Sequence, residues 1–375
     1  MEKKKVQIPL TVWAFLGVIA ILTVANLFSP DRAFSAAENR VLDQKPPFSL
    51  RALLLDEPGW TLQFEEYFTD QFVHRDVWVG MKASAERAAG KKENGGVYLA
   101  KKDYLIEKPA AITAVDANVK SVNRFALEAG VPVYVALLPN SICIYDDLLP
   151  RYAADGAQEQ VIADAYAALA NVTPIELAPV MRAHSGEYIY YRTDHHPTSL
   201  GAYYAYTALA QGLGFAPNAL DSYTRERVSE SFCGTTRARS GAWWVQPDTI
   251  ELFSHDDACT LTTFEEGAAT TQDGVYVREN LAKQDQYTVF LGGNHPRQII
   301  EREGTGKKLL LIKDSFAHCV APFLTAHYKE IHLLDMRYYR DPVQDYVRKN
   351  GIDEVLILYS VNNFETDRNM VFLNR

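Results

Sequence analysis

The sequence carries no excess of positive charge: 38 Lys and Arg residues face 47 Asp and Glu residues, for a formal net charge of −9. Such a chain has no general electrostatic attraction to nucleic acid or to anionic lipid, so a DNA or RNA partner is disfavoured. Low-complexity segments and internal repeats are also lacking, which excludes solenoids and propellers. The 375 residues, 47% of them hydrophobic, suffice for one large folded domain or two smaller ones.

Cysteine is scarce, with four residues at 143, 233, 259 and 319. No pair is spaced as CxxC, so the sequence supports neither a redox motif nor a zinc ribbon. Outside the cytoplasm an even number of cysteines can form disulfides, and we expect one between Cys233 and Cys259, which share a Gly- and Thr-rich stretch. Four buried free thiols are the alternative.

Nucleotide-binding motifs are absent as well. There is no GxGxxG and no Walker sequence, and the Gly-Gly-Asn-His sequence at 292–295 resembles a phosphate-binding loop only superficially. We therefore expect no nucleotide site and no cofactor.

One long apolar run is present near the N-terminus. Residues 6–28 contain no ionisable side chain, and a helix needs roughly 20 residues to cross a bilayer. Lysines at 3–5 precede the run, so the N-terminus should stay in the cytoplasm. This predicts a single-pass type II protein of the cell membrane whose folded part is extracellular. The alternative is a cleaved signal peptide, since Ala36 and Ala37 are small residues of the kind that a signal peptidase accepts. The apolar core of a signal peptide, however, is only about 7 to 15 residues long.

After this anchor, assigned to residues 1–28, residues 29–110 are predicted to form a linker and an N-terminal helical and hairpin region. Aromatic and apolar residues recur at helical spacing over 60–92, and we expect this stripe to pack in a core. Two short apolar runs, at 95–99 and 104–106, then resemble a hairpin.

From residue 111 onwards, helical and strand-like patterns alternate. The predicted helices cover 113–129, 158–170 and 201–213, and the predicted strands cover 131–138, 308–312, 330–334 and 354–358. Alternation of this kind predicts an α/β fold, in which a parallel sheet lies between helices as a three-layer α/β/α sandwich.

Between about 220 and 288 the pattern degrades into polar, Gly- and Thr-rich sequence. We interpret this part as an insertion over one edge of the sheet, and such insertions often shape a substrate cleft. Trp243 and Trp244 within it could stack on sugar rings, although a place in the core is an equally good interpretation.

Ser315 follows a predicted strand and precedes a predicted helix over 317–328, which we expect Pro322 to kink. In open α/β sheets, ligands bind beyond the carboxyl ends of the strands. A serine at such a strand-to-helix turn has the geometry of an acyl-transfer nucleophile, because the free N–H groups at the helix start stabilise negative charge. The alternative role for Ser315 is that of an ordinary helix cap.

Asp194 and His196 favour the catalytic interpretation of Ser315. In an extended segment, residues two apart project to the same side, so the Asp194 carboxylate can orient the His196 imidazole. His196 would then serve as the base for Ser315. His195 projects to the other side, where it makes a structural hydrogen bond or contacts substrate. A metal site at these residues is the alternative, but no further ligand at a motif spacing accompanies them.

Asn362 follows the last predicted strand, so it should lie at the same edge of the sheet. Its amide is a candidate oxyanion-hole donor beside the backbone N–H of Ser315. The Asn-Asn pair at 362–363 is equally suited to an ordinary turn.

Taken together, several short motifs resemble those of the DHHW family, whose catalytic region is similar to the SGNH-hydrolase-like domains of the periplasmic alginate O-acetylation proteins. The stretches that carry the resemblance are Glu38-Asn39-Arg40, Asp70-Gln71-Phe72 with Arg75, Leu138-Pro139-Asn140, Thr193-Asp194-His195-His196, Phe290-Leu291-Gly292-Gly293-Asn294 and Lys313-Asp314-Ser315-Phe316. The resemblance implies an SGNH-like sandwich with circularly permuted motifs, since Asp194 and His196 precede Ser315. It also makes Asn362 the equivalent of the family asparagine.

The sequence departs from the family pattern at three places. Pro197 stands where the family name places a Trp, and Lys313 stands where a glycine usually precedes Asp-Ser. The second-strand glycine has no counterpart near Asp335, where Arg337 is instead a candidate substrate contact.

The motifs and the resemblance imply a membrane-anchored serine O-acyltransferase or esterase acting on O-acetyl groups of a cell-surface polysaccharide. The expected partners are that polysaccharide, the membrane, and a membrane acyl-transfer protein that supplies acetyl groups; no metal is expected. Because the departures touch the cleft, the alternative is a non-catalytic glycan-binding or assembly scaffold with the same fold.

Overall fold

The computed structural model describes residues 9–35, 40–55, 59–255, 258–265 and 267–375. Three sequence features lie outside these residues: the lysines at 3–5, the alanines at 36–37, and the first two residues of the motif at 38–40. The chain divides into two compact units, Met1–Lys91 and Lys92–Arg375.

The N-terminal unit begins with helix α1, Leu10–Phe28, which is long and apolar enough to cross a membrane and has no buried residue. The short strands β1 and β2 pair in antiparallel fashion, and three further helices follow. These elements are β1 (Phe34–Ser35), β2 (Arg40–Val41), α2 (Leu50–Leu55), α3 (Trp60–Asp70) and α4 (Arg75–Ala88).

The second unit contains the α/β fold. Its helices are α5 (Val115–Glu128), α6 (Ser141–Ile144), α7 (Gln158–Ala168), α8 (Ala178–Ala183), α9 (Ser199–Leu213), α10 (Thr235–Ser240), α11 (Ala321–Leu324), α12 (Val343–Asn350) and α13 (Val361–Thr366). Its strands are β3 (Glu93–Asn94), β4 (Val97–Leu99), β5 (Leu105–Glu107), β6 (Val133–Leu138), β7 (Thr173–Ile175), β8 (Thr224–Phe232), β9 (Asp248–Ser254), β10 (Cys259–Glu265), β11 (Ala268–Asp273), β12 (Arg297–Arg302), β13 (Lys308–Lys313), β14 (Glu330–Leu334) and β15 (Glu354–Ser360).

Eight strands form the central sheet in the order β11-β10-β12-β14-β13-β15-β6-β7. The five from β14 to β7 are parallel, as the alternating pattern predicts. The other three run antiparallel and extend one edge. Two of these, β10 and β11, come from the polar segment predicted as an insertion, so that segment lengthens the sheet itself.

Residues of the central strands alternate between two apolar cores, one on each face of the sheet. Leu309 and Leu311 of β13 pack in a core with residues of α9, whereas Leu310 and Ile312 pack in a second core with residues of α5, α7 and α12. Strands buried on both faces need apolar side chains at every position, which explains the continuous apolar runs in the sequence. The predicted three-layer α/β/α sandwich is confirmed.

The helix predicted over 317–328 is wrong in extent. The chain forms a single 3₁₀ turn, Ser315–His318, and then the short helix α11. Pro322 lies in the first turn of α11, where its missing N–H costs nothing, so it starts a helix rather than kinking one.

The predicted disulfide between Cys233 and Cys259 is also wrong. All four cysteines, which lie within the described residues, are thiols; Cys143 and Cys319 are buried and the other two are half-buried. Cys233 follows strand β8 of a separate two-stranded sheet, whereas Cys259 begins β10 in the central sheet. Proximity in sequence did not bring the two thiols together.

Candidate active site

Strand β13 delivers Ser315 to the carboxyl edge of the parallel sheet. Asp314 caps the 3₁₀ turn that Ser315 begins, because its Oδ1 accepts a hydrogen bond from the backbone N–H of Phe316 at 2.9 Å. Its Oδ2 accepts from the N–H and the hydroxyl of Ser360 and from the amide of Asn363, at 2.7 to 2.8 Å. Asp314 therefore ties the serine turn to the end of β15.

Ser315, His196 and Asp194 form a continuous hydrogen-bonded chain. The Ser315 Oγ lies 2.9 Å from His196 Nε2, and His196 Nδ1 lies 2.5 Å from Asp194 Oδ1. A carboxylate can only accept, so Nδ1 carries the proton and Nε2 is free to accept the proton of the serine hydroxyl. The structure thus brings together the three residues predicted as a triad.

The Asp194 carboxylate is fully engaged. Its Oδ2 accepts hydrogen bonds from the backbone N–H of Thr235 at 2.8 Å and from the Thr235 hydroxyl at 3.0 Å. Gly234 allows this approach, since a Cβ at that position would lie 2.2 Å from the Asp194 Cβ. No motif in the sequence pointed to these partners, which lie about forty residues further along the chain.

The surroundings of Asp194 and His196 give these two residues the protonation states that base catalysis needs. Burial alone would raise the pKa of Asp194, but the adjacent imidazoles and the hydrogen bonds from His196 and Thr235 outweigh it and hold that pKa well below its usual range. Burial lowers the pKa of His196, and His195 lowers it further against the opposing effect of Asp194. At neutral pH, Asp194 is therefore ionised and His196 is neutral.

A second buried carboxylate supports the loop that carries the Asp-His pair. Asp248 accepts from the N–H and hydroxyl of Thr193, at 2.7 and 2.5 Å, and from the N–H of Arg192 at 3.0 Å. The Tyr188 hydroxyl also donates to it. These bonds fix the backbone immediately before Asp194.

Tyr287 touches both the proposed nucleophile and the proposed base. Its hydroxyl donates to the carbonyl oxygen of Ser315 at 3.0 Å, and its ring lies nearly parallel to the His196 ring with the centroids 3.8 Å apart. Tyr287 is almost completely buried. It lies in the segment predicted as an insertion, which therefore contributes to the site, although this role was not predicted.

Beside the serine turn lies a buried charge cluster. The Lys313 Nζ is 2.7 Å from His318 Nε2 and 3.6 Å from the Asp335 carboxylate, which also accepts two hydrogen bonds from the Arg337 guanidinium. Burial lowers the pKa of Lys313 to about 8. Arg337, a predicted substrate contact, is thus held by Asp335, with about a quarter of its side chain exposed.

The family model of DHHW proteins matches residues 70–334. The chain belongs to the DHHW family. This confirms the resemblance predicted from the motifs. In a separate comparison, no curated protein matches the sequence.

Among solved structures, a DHHW family protein from Eubacterium siraeum superposes with a TM-score of 0.65, at 25% identity over 75% of this chain and 95% of that one. PatB1 of Bacillus cereus, solved with a sulfonyl adduct, gives a TM-score of 0.62 at 22% identity, over 74% of this chain and 98% of that one. Both similarities show a shared fold. The O-acetyltransferase domain of Pseudomonas putida AlgJ matches 72% of this chain and 93% of its own at 16% identity and a TM-score of 0.46.

In this DHHW protein, the predicted oxyanion donor Asn362 lies just beyond the end of strand β15. Asn362 lies in the first turn of α13, and its backbone N–H donates to Asn140 Oδ1 at 2.9 Å. The adjacent Asn363 is the residue whose amide reaches Asp314, so both asparagines lie near the carboxyl ends of β13 and β15. The role of Asn362 as an oxyanion donor stays a prediction.

Both tryptophans are half-buried. Arg237 donates to the carbonyl oxygen of Trp243 and lies over its ring, while Trp244 packs against a small apolar cluster with Val97 and Val245. Their interpretation as sugar contacts stays a prediction.

His195 is about three-quarters buried beside His196, with its ring centroid 3.9 Å from that of His196. The prediction that it projects to the other side of the segment is therefore wrong. Its Nδ1 lies 2.7 Å from the Thr235 hydroxyl. Ligand atoms of Asp194, His195 and His196 all lie within 4.8 Å of one another, so by distance they could hold a metal ion. In the present arrangement both ring nitrogens of His196 are already engaged, by Asp194 and Ser315.

Proposed function

We propose that this DHHW protein is a serine O-acyltransferase or esterase with Ser315 as its nucleophile. The observation that carries this proposal is the unbroken hydrogen-bonded chain from Ser315 through His196 to Asp194. A serine next to a neutral imidazole that a buried carboxylate orients has the arrangement used for acyl transfer on many unrelated folds.

In the first half-reaction, His196 Nε2 takes the proton of the Ser315 hydroxyl while Oγ attacks the acyl carbonyl carbon. The tetrahedral intermediate then collapses, and His196 returns the proton to the departing alcohol oxygen. This leaves the acyl group on Ser315. In the second half-reaction His196 deprotonates a sugar hydroxyl or a water, which attacks the acyl-enzyme and releases Ser315.

The negative oxygen of the tetrahedral intermediate needs hydrogen-bond donors. The N–H of Phe316 is unavailable, because it donates to Asp314 Oδ1. We assign this role to the backbone N–H of Ser315 and the side-chain amide of Asn362. The location of Asn362, one residue before the amide that binds Asp314, supports the assignment.

The proposed substrate is the O-acetyl group of a cell-surface polysaccharide. This class follows from the resemblance to periplasmic O-acetylation proteins, and the exposed apolar helix α1 supports a catalytic part, residues 111–375, held outside the cytoplasm. The proposed topology is single-pass type II. Arg337, Trp243, Trp244 and His195 are the proposed polysaccharide contacts, and a membrane acyl-transfer protein would supply the acetyl groups.

The test uses the full chain in detergent with p-nitrophenyl acetate as acyl donor, with and without an acceptor polysaccharide. We expect nitrophenol release that depends on Ser315, with acetate found either free in solution or ester-linked to the polysaccharide. The Ser315→Ala variant should release nitrophenol no faster than buffer. A folded wild type that binds polysaccharide but never turns over the ester would favour the non-catalytic scaffold instead.

A further inference from the structure

The helices of the N-terminal unit expose an unusual number of large apolar side chains. On one side of α3 these are Phe64 and Phe68, and on α4 they are Val77, Trp78 and Met81, each between 37% and 56% exposed; we call this set the membrane-proximal surface. Leu62, 59% exposed, lies on the opposite side of α3 and is not part of it. The prediction that the apolar stripe over 60–92 packs in a core is therefore wrong for these exposed residues. Val77, Trp78 and Met81 occupy one stripe of α4, because residues three and four apart lie on the same side of a helix. Helix α2 adds Leu50, Leu53, Leu54 and Leu55, all exposed.

Hydrogen bonds tie these helices to the end of α1. The backbone N–H of Val73, in the turn between α3 and α4, donates to the side chain of Asn26 at 2.8 Å. Asn26 lies in the last turn of α1, two residues before its end at Phe28. A helix rises 1.5 Å per residue, so the turn between α3 and α4 lies level with the end of the apolar helix.

Two further contacts involve the residues that follow α1 directly. The Tyr67 hydroxyl of α3 donates to the Asp31 carboxylate at 3.0 Å, and the N–H of Arg32 donates to the Gln71 side chain at 2.8 Å. The carboxyl end of α3 is therefore held directly against the residues that follow the apolar helix. If α1 crosses a bilayer, the carboxyl end of α3 and the start of α4 lie where the lipid headgroups begin.

The chemistry of the exposed side chains suits that depth. The indole N–H of Trp78 donates to the carbonyl oxygen of Val73 at 3.1 Å, so its polar end is satisfied while its ring faces outward. Along α3, the rings of Trp60, Phe64 and Phe68 follow one another, with centroids 5.1 and 6.5 Å apart. Tryptophan and other aromatic rings are enriched at membrane–water interfaces.

We propose that the membrane-proximal surface is a lipid-contact surface, which lies in the interfacial layer of the outer leaflet and holds α3 and α4 against the bilayer. This proposal rests on the proposed membrane anchoring by α1. The binding is apolar, because the chain carries a net charge of −9 and gains nothing from anionic headgroups. The surface fixes the N-terminal unit to the membrane at a second place besides the spanning helix.

Photocross-linking of the full chain in its native membrane tests this proposal. The photoreactive residue p-benzoylphenylalanine replaces Phe64, Met81, Glu66 or Trp13, one position at a time. Glu66 is the matched control, since it is exposed on the opposite side of α3 from Phe64. Trp13, inside α1 and 59% exposed, reports on the anchor itself.

We expect lipid adducts at positions 13, 64 and 81, detected by mass spectrometry of the labelled peptides, and none at position 66. Adducts at 13 without adducts at 64 and 81 would overturn the proposal while leaving the anchor intact. Cross-links from 64 and 81 to a protein would overturn it too, since they show that a protein covers the surface. No adduct at 13 would refute the anchor, and the lipid contact with it.

Discussion

His196 is oriented by contacts on three sides. Asp194 accepts from Nδ1, Ser315 lies at Nε2, and the Tyr287 ring covers one face of the imidazole. The sequence order Asp-x-His predicted the first contact correctly, but for a different reason from the one expected. The chain bends at 192–196 instead of running extended, and Asp194 Oδ1 also accepts from the backbone N–H of His196 at 3.0 Å. The Ser315 and Tyr287 contacts join residues about 90 to 120 positions away and need the complete fold.

Replacing Asp194 by Asn should slow acylation of Ser315 by about 10³- to 10⁴-fold, because an amide can favour the wrong imidazole tautomer and cannot stabilise the imidazolium. Stopped-flow measurement of nitrophenol release gives the rate. The exposed Asp147→Asn change is the control, with no expected effect. An unchanged rate in a folded Asp194→Asn protein would remove Asp194 from the mechanism.

Tyr287 is predicted to be a positioning residue with two separable effects. Tyr287→Phe removes the hydroxyl that holds the Ser315 carbonyl but keeps the ring, so we expect slower acylation at an unchanged pH midpoint. Tyr287→Leu also uncovers His196. Since burial lowers the pKa of His196, uncovering it raises that pKa, and the acid limb of the pH–rate profile moves to higher pH.

The control for the hydroxyl is Tyr276→Phe, which likewise removes one hydrogen bond from a tyrosine hydroxyl to a backbone carbonyl oxygen, that of Phe253. We expect Tyr276→Phe to leave the acylation rate unchanged. Equal effects of the two substitutions would show that Tyr287 acts on stability alone. An acid limb that stays in place in Tyr287→Leu would show that its ring does not set the pKa of His196.

At the scale of elements, strands were predicted better than their connections. The middle residues of these strands, Leu309–Ile312 of β13 and Val355–Tyr359 of β15, alternate between the two apolar cores. Because both faces are buried, each strand has a continuous apolar run in the sequence. The segment after Ser315 has no such constraint. The start of this segment is held by the hydrogen bond from the Phe316 N–H to the Asp314 side chain, and its residues are held by tertiary packing. Neither kind of contact can be predicted from the helical spacing of apolar residues.

Gly234 lies directly before α10, whose first residue donates hydrogen bonds to Asp194. This close approach makes position 234 sensitive to substitution. A Cβ at position 234 would meet the Asp194 carboxylate at 2.4 Å. Gly234→Ala should therefore push Asp194 off His196 and slow acylation at least 100-fold, as misplacement of about 1 Å does elsewhere. Gly186→Ala, where a Cβ meets nothing within 4 Å, is the matched control.

Both variants are measured by the same nitrophenol assay, alongside circular dichroism to show that the fold is retained. If Gly234→Ala acylates as fast as Gly186→Ala, the contact between α10 and Asp194 does not matter for the chemistry.

At the scale of the whole molecule, several ionisable groups are buried at or near the carboxyl edge of the sheet. Lys313 and Asp335 are completely buried and close together. This pair was not predicted, because Lys313 ends β13 and Asp335 follows β14, so only the pairing of the two strands brings them together. Glu365 of α13 is 2% exposed, and its Oε1 makes no hydrogen bond among the described residues. Burial raises the pKa of Glu365 to about 7.

The folded protein binds the proton of the Glu365 carboxyl more tightly than the unfolded chain does. The free energy of unfolding should therefore fall as the pH rises from about 4.5 to about 7. Glu365→Gln removes that loss, so the variant should be more stable than wild type above pH 7, by on the order of 3 kcal/mol. Thermal unfolding of the full chain from pH 4 to 8 measures the effect. The exposed Glu279→Gln serves as control, and a Glu365→Gln advantage that does not change with pH would contradict the argument.

The most direct test of the account as a whole is to locate the acetyl group after brief exposure of the full chain to p-nitrophenyl acetate. Rapid acid quenching followed by peptide mapping should place a single acetyl group on Ser315, absent from Ser315→Ala and formed far more slowly in His196→Ala. Acetyl groups on lysines or on His195 that persist unchanged in Ser315→Ala, with none on Ser315 in the wild type, would contradict the proposed acyl-enzyme.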